Sequence, residues 1–147
     1  MDSYNVGGAE PHTRSLLRIV TGFVFMEHGL QKLFGMFGGL PAGVDASPLS
    51  QVWVAGVLET FGGALIVLGL FTRIVAFVLC GLMAVAYFTA HAPQGFWPML
   101  NGGELAVLYC FVYLYFAAAG PGPWSLDEMM QGRRKRPRPA GARDPVY

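Results

Sequence analysis

Charge is what this sequence has least of. Asp, Glu, Lys and Arg make up 13% of its 147 residues, against about 25% in an ordinary soluble domain. That shortfall excludes a normal water-facing surface for much of the chain. Cysteine is nearly absent: Cys80 and Cys110 are the whole complement. Their separation makes neither a CxxC nor a metal-ligand spacing, which argues against a disulfide framework and a zinc site; no metal is expected. The cations that do occur are unevenly spread. Six of the ten Lys and Arg residues lie between Arg133 and Arg143, among them Arg133, Arg134, Lys135 and Arg136. The net charge of +1 therefore hides a slightly acidic body and a basic end. On a soluble protein such an end would suggest nucleic acid. On a membrane protein it sets topology or touches anionic lipid, and no nucleic-acid partner is expected.

Apolar residues are what the chain has in abundance: 54% of the total, with a mean hydropathy of +0.46. They gather in four segments, at residues 15–34, 52–71, 73–92 and 103–119. Each is close to the roughly 20 residues that cross a hydrocarbon core of about 30 Å. The first is interrupted by Glu27, His28 and Lys32 and lacks a small-residue cleavage site, so it reads as a retained span rather than a signal peptide. The pattern predicts an all-α fold, an integral membrane four-helix transmembrane bundle over residues 14–130. A polar leader, 1–13, precedes it, and a basic, disordered tail, 131–147, follows. Between the spans, Gly38, Gly39, Pro41, Gly43 and Pro48 mark a loop. Thr72 is the expected N-cap before Arg73 in a link so short that spans two and three must be antiparallel neighbours. Phe96 and Trp97 suit a membrane interface. Gly120-Pro121-Gly122-Pro123 ends the fourth span, after which Ser125 is placed to cap a short surface helix through Met130, anchored by Trp124.

With four crossings both termini share a side. Arg14, Arg18, Arg73 and the tail cations fall there, and only Lys32 falls on the other. The positive-inside rule then puts both termini in the cytoplasm.

The spans carry more ionisable and polar groups than lipid tolerates without reason: Glu27, His28, Gln31, Lys32, Glu59, His91 and Glu104. A charge at the bilayer centre costs about 2.5–3.5 kcal/mol on insertion scales, so such groups face the bundle interior and find partners there. On a regular helix Glu59 shares a face with Ala55, Gly56, Gly62 and Gly63, small residues that admit a neighbouring helix. Arg73, Cys80, Ala84, Tyr87 and His91 fall along one stripe of the third span. Counting 1.5 Å per residue puts His28 and Glu59 roughly 10–12 Å below the outer surface, with His91 and Glu104 close to it. Acid, base and cation thus converge in the outer half of the bundle. Such a cluster can hydrogen-bond a quinone carbonyl or pass protons; it can also simply neutralise itself and fix helix register. By the same depth count Cys80 and Cys110 lie roughly 10 Å apart along the membrane normal. That is too far for a disulfide, and they read as inert buried thiols, against a dithiol oxidoreductase. Tyr109, Phe111, Tyr113, Tyr115 and Phe116 read as packing.

Several stretches taken together resemble a known family. They are Arg18 with His28-Gly29-Leu30-Gln31-Lys32-Leu33-Phe34-Gly35, then Glu59-Thr60-Phe61-Gly62-Gly63 and Leu68-Gly69-Leu70-Phe71-Thr72-Arg73. His91, Asn101-Gly102-Gly103-Glu104 and Gly120-Pro121-Gly122 complete the series. In order and spacing they look like the DoxX family of small bacterial inner-membrane proteins, across residues 14–127. The resemblance implies a four-helix membrane protein. It also implies kinship with proteins associated with quinol oxidase and thiosulfate:quinone oxidoreductase, and with complexes handling oxidative or thiol stress. The chain has no cofactor motif of its own. The expected roles are an accessory subunit of a quinone-linked redox complex, a membrane scaffold or assembly factor, or a small-solute or proton transporter. The expected partners are the lipid bilayer, redox enzyme subunits and a second copy of the chain.

Overall fold

The computed structural model describes residues 8–134. Among them every regular element is helical. Helix α1 spans Glu10–Phe34, α2 Gln51–Leu68 and α3 Thr72–Ala86. A π turn, Tyr87–His91, and a 3-10 turn, Ala92–Gln94, prolong α3. A four-residue helix α4, Pro98–Asn101, leads into α5, Glu104–Ala119, and α6 covers Leu126–Arg134. Two stretches, Gln51–Leu68 and Thr72–Gln94, are long and apolar enough to cross a membrane; α5 is apolar but shorter, at 16 residues.

Local chemistry sets the ends. Pro11 sits in the first turn of α1, where its missing N–H is no loss. Ser50 caps α2, its Oγ accepting from the Trp53 amide at 3.1 Å. Gly35 and Gly69 close α1 and α2 in the left-handed conformation, each with φ +66°. The start of α3 departs from expectation. Thr72 is its first helical residue, not its cap, and Phe71 before it takes φ +51°. The orphan amides of Phe71 and Thr72 each donate to the Asp127 carboxylate at 2.8 Å. The capping group comes from α6, more than fifty residues away, where no local pattern could show it. Ser125 does cap α6, accepting from Glu128 N at 3.2 Å.

Two boundaries also move. Helix α1 begins inside the expected leader, at Glu10, and α6 runs past residue 130 to Arg134. Arg133 and Arg134 end that helix; Lys135, Arg136 and the rest of the basic tail lie outside the described residues.

Helix α1 packs along α2, α3 along α5, and α2 joins the two pairs through α3. The first pairing depends on glycine. The buried face of α2 is Gly56, Glu59, Gly62, Gly63 and Ile66. A Cβ added at Gly63 would stand 2.9 Å from the Gly22 carbonyl oxygen, and one at Gly62 would meet Leu79. The small-residue face therefore lets backbones approach to van der Waals contact. Phe25, Ile66, Leu79, Met83, Tyr113 and Phe116 fill the space between the pairs. Outward, Phe61, Phe77, Phe88 and Phe111 are each more than 60% exposed. An apolar surface of this extent has no place in water and every reason to face acyl chains.

The arginines read as topology determinants, Arg14, Arg18 and Arg73, are also structural. Arg18 is fully buried. Its guanidinium donates to the carbonyls of Ile66 and Val67 at the end of α2, and to those of Pro121 and Trp124. Arg14 donates to Ala119 O, and Arg73 to Ala117 O and Ala118 O. Three cations thus satisfy the last carbonyls of α2 and α5, where the helix dipole favours positive charge.

Candidate functional site

The polar groups that matter lie toward the opposite end from these arginines. Glu59, carried on the glycine face of α2, is 2% exposed. It does not meet a lipid face; Lys32 Nζ, from the last turn of α1, donates to both of its carboxylate oxygens. Gly56 makes this geometry available, because a Cβ there would stand 3.0 Å from Lys32 Cβ. His28, one turn earlier on α1, meets the Tyr109 ring edge-on, with centroids 6.2 Å apart. The π turn places His91 beside the loop that follows, its Nδ1 3.1 Å from Asn101 O. A carbonyl only accepts, so Nδ1 is the donor in this contact.

These side chains share a cavity of about 220 Å³. His28, Lys32, Glu59, His91 and Tyr109 supply its polar atoms, and Phe25, Met83 and Leu105 are among its apolar walls. Of the seven residues selected from sequence, four therefore come together: His28, Lys32, Glu59 and His91. Three do not. Glu27 is half-buried and outside the lining. Gln31 donates through Nε2 to Gly39 O at 2.8 Å, tying α1 to its loop. Glu104 is exposed in the first turn of α5, where a carboxylate complements the helix dipole.

Two contributors were missed. Tyr109, read as packing, lines the cavity as well as touching Phe25. Asn101 is buried and latches the connection between the third span and α5: Nδ2 donates to Gly95 O at 2.6 Å, and Oδ1 accepts from Gly103 N at 2.8 Å. The buried residues of the third span are Thr72, Ala76, Leu79, Met83 and Tyr87; of the expected stripe of Arg73, Cys80, Ala84, Tyr87 and His91, Tyr87 alone is among them.

The cysteines require a correction. Cys80 and Cys110 are in contact, with Sγ atoms 3.6 Å apart. The depth count that separated them measured one from each face of a 30 Å slab. Helix α5 is shorter than that slab. Counted from a common end, Cys80 lies about 12 Å above Thr72 and Cys110 about 14 Å above Ala119, which makes them level. A second, wholly apolar groove of about 370 Å³ runs beside them, lined by Cys110, Tyr87, Phe88, Phe96, Trp97 and Phe111 among others. Met83 and Ala106 line both spaces.

An all-helical chain with membrane-length apolar helices, lipid-type outer faces and a charged cavity between them defines a small membrane protein. Comparison with known proteins gives the family: the DoxX model matches residues 13–92, and the chain belongs to that family. Its relatives include a Haemophilus influenzae protein of uncharacterized function, 42% identical over 84% of this chain and 94% of the relative. An uncharacterized membrane protein of Mycobacterium tuberculosis is 32% identical, over 86% of this chain and 85% of its own. A Bacillus subtilis protein named as a candidate oxidoreductase, CatD, is 31% identical over 76% and 82%. No solved structure matches the chain significantly.

Proposed function

We propose that the protein is a quinone-linked redox subunit of a bacterial inner membrane, with α1, α2, α3 and α5 crossing the bilayer and both termini in the cytoplasm. One observation carries the reading. A buried carboxylate, its lysine partner, two imidazoles and a phenol surround a single cavity whose other walls are apolar. Quinone headgroups combine an apolar ring with two carbonyls that accept hydrogen bonds, and this donor set is suited to them: Lys32, His28 and Tyr109 carry donors, and His91 and Glu59 carry proton acceptors. Imidazole exchanges protons near neutral pH, as ring reduction requires. The oxidoreductase name of the Bacillus subtilis relative is consistent with this chemistry. Electrons and further cofactors would come from partner subunits docked on the exposed helix faces or the basic end.

Equilibrium binding of a short-chain quinone to the purified protein tests the proposal. Wild type should bind, and Glu59→Gln, which releases Lys32 from its place, should bind about tenfold more weakly, the equivalent of one charge-assisted contact. Absence of binding by the folded wild type would refute it.

A further inference from the structure

The contact between the two cysteines is the feature that the proposed function does not use. Cys80 and Cys110 sit on α3 and α5, helices packed along their length, with both thiols free. Their sulfur separation is 3.6 Å, about 1.5 Å longer than a disulfide bond. Cys110 also forms part of the wall of the apolar groove, among Tyr87, Phe96, Trp97 and Phe111. The last three of these rings are each more than 60% exposed on the outer surface. The groove therefore opens onto the apolar surface, where lipid-soluble molecules are found. It is an aromatic-walled slot with a dithiol at its side, suited to a flat, apolar, electron-accepting ring.

We propose that Cys80 and Cys110 are a redox-active dithiol that reduces a lipophilic quinone held in the apolar groove. Two S–H bonds break and one S–S bond forms between the two residues. The two electrons and two protons released pass to the ring carbonyls, turning quinone into quinol. Exchange with two equivalents of a small external thiol returns the disulfide to the dithiol and leaves that thiol oxidised. The identity of the oxidant rests on the proposed function; the pairing of the sulfurs does not. Met83, a flexible side chain shared by groove and cavity, is the partition between the thiols and the polar cluster.

The test uses the full chain, fully reduced, in lipid nanodiscs without oxygen. The probe is a benzoquinone substituted at every ring position, so that thiols cannot add to it. Intact mass after thiol alkylation and quinol absorbance are followed together. Wild type should lose both thiols and two hydrogens in mass while forming one quinol per chain. Cys80→Ser and Cys110→Ser should each keep the remaining thiol and form none. Ala84→Phe, which fills the groove from α3, should slow oxidation by the quinone by more than an order of magnitude. Its oxidation by the small, water-soluble oxidant diamide should be unchanged. Wild-type thiols that survive excess quinone overturn the inference, as does an Ala84→Phe chain oxidised by quinone at the wild-type rate. If the thiols survive while quinone binding persists and is weakened by Glu59→Gln, the dithiol fails and the proposed function stands. If the thiols are oxidised at the same rate in wild type and Glu59→Gln, and the two bind quinone equally, the dithiol stands and the polar-cluster reading fails.

Discussion

Removing one partner of the Lys32–Glu59 pair should have unequal consequences, because the two groups differ in their access to water. The Glu59 side chain is 3% exposed and that of Lys32 is 23% exposed. In Lys32→Met the carboxylate is left in an apolar setting without its cation, a change that costs about 3–5 kcal/mol for a buried pair. In Glu59→Gln the ammonium group keeps a route to solvent along its flexible stem, and the cost should fall nearer 1 kcal/mol. Helicity followed by circular dichroism during denaturant unfolding in mild micelles measures both variants. Equal losses in the two variants would show that Glu59 is not a buried charge held by Lys32.

The helix contacts give further expectations. A Cβ at Gly29 would stand 2.7 Å from the Gly56 carbonyl oxygen and closer still to Thr60 N, whereas one at Gly81 meets nothing. Gly29→Ala should therefore destabilise by about 1–3 kcal/mol through forced separation of α1 and α2, while Gly81→Ala should stabilise by up to about 1 kcal/mol through helix propensity alone; unfolding midpoints of the two report the contrast. Asp127→Ala removes the carboxylate that accepts from the Phe71 and Thr72 amides and should cost about 1 kcal/mol. Faster amide hydrogen exchange confined to the first turn of α3 would identify the lost cap, and protection unchanged there would contradict it. Arg18→Lys retains the charge but not the planar fork that reaches four carbonyls; it should lower stability by about 1–3 kcal/mol in the same unfolding assay.

What could be read from the residues alone was whatever depends on one helix at a time. Apolar length located α2, α3 and α5 to within a few residues, and the 3.6-residue period put Glu59 on the same face as Gly56, Gly62 and Gly63. That face was legible because lipid forces a carboxylate toward a neighbouring helix, and glycines on either side of it let that helix come close. Features built by two distant segments were not legible. Asp127 caps a helix more than fifty residues earlier, Arg18 reads as one more positive charge until its four carbonyls are seen, and Gln31 and Glu104 have the right composition for the cluster but face elsewhere. Tyr109 was lost for a subtler reason. An aromatic on an apolar helix is nearly always packing, and its second role appears only when His28 is known to lie against its ring.

The cysteines show where a depth argument breaks. Placing residues along a membrane normal by counting from the nearest end assumes that every helix fills the same slab. In this fold the helices share one end, fixed by Arg14, Arg18 and Arg73 on the final carbonyls of α2 and α5, but they do not share the other. Helix α5 stops after 16 residues, and α4 with its flanking loops completes that end. Depth is conserved only when measured from the end where the chain is anchored. Counting from that clasp aligns Cys80 with Cys110, and it turns two thiols with no sequence motif into neighbours. A short helix in a bundle of longer ones therefore decides which polar groups meet, and here it brings sulfur to the wall of a groove open to lipid.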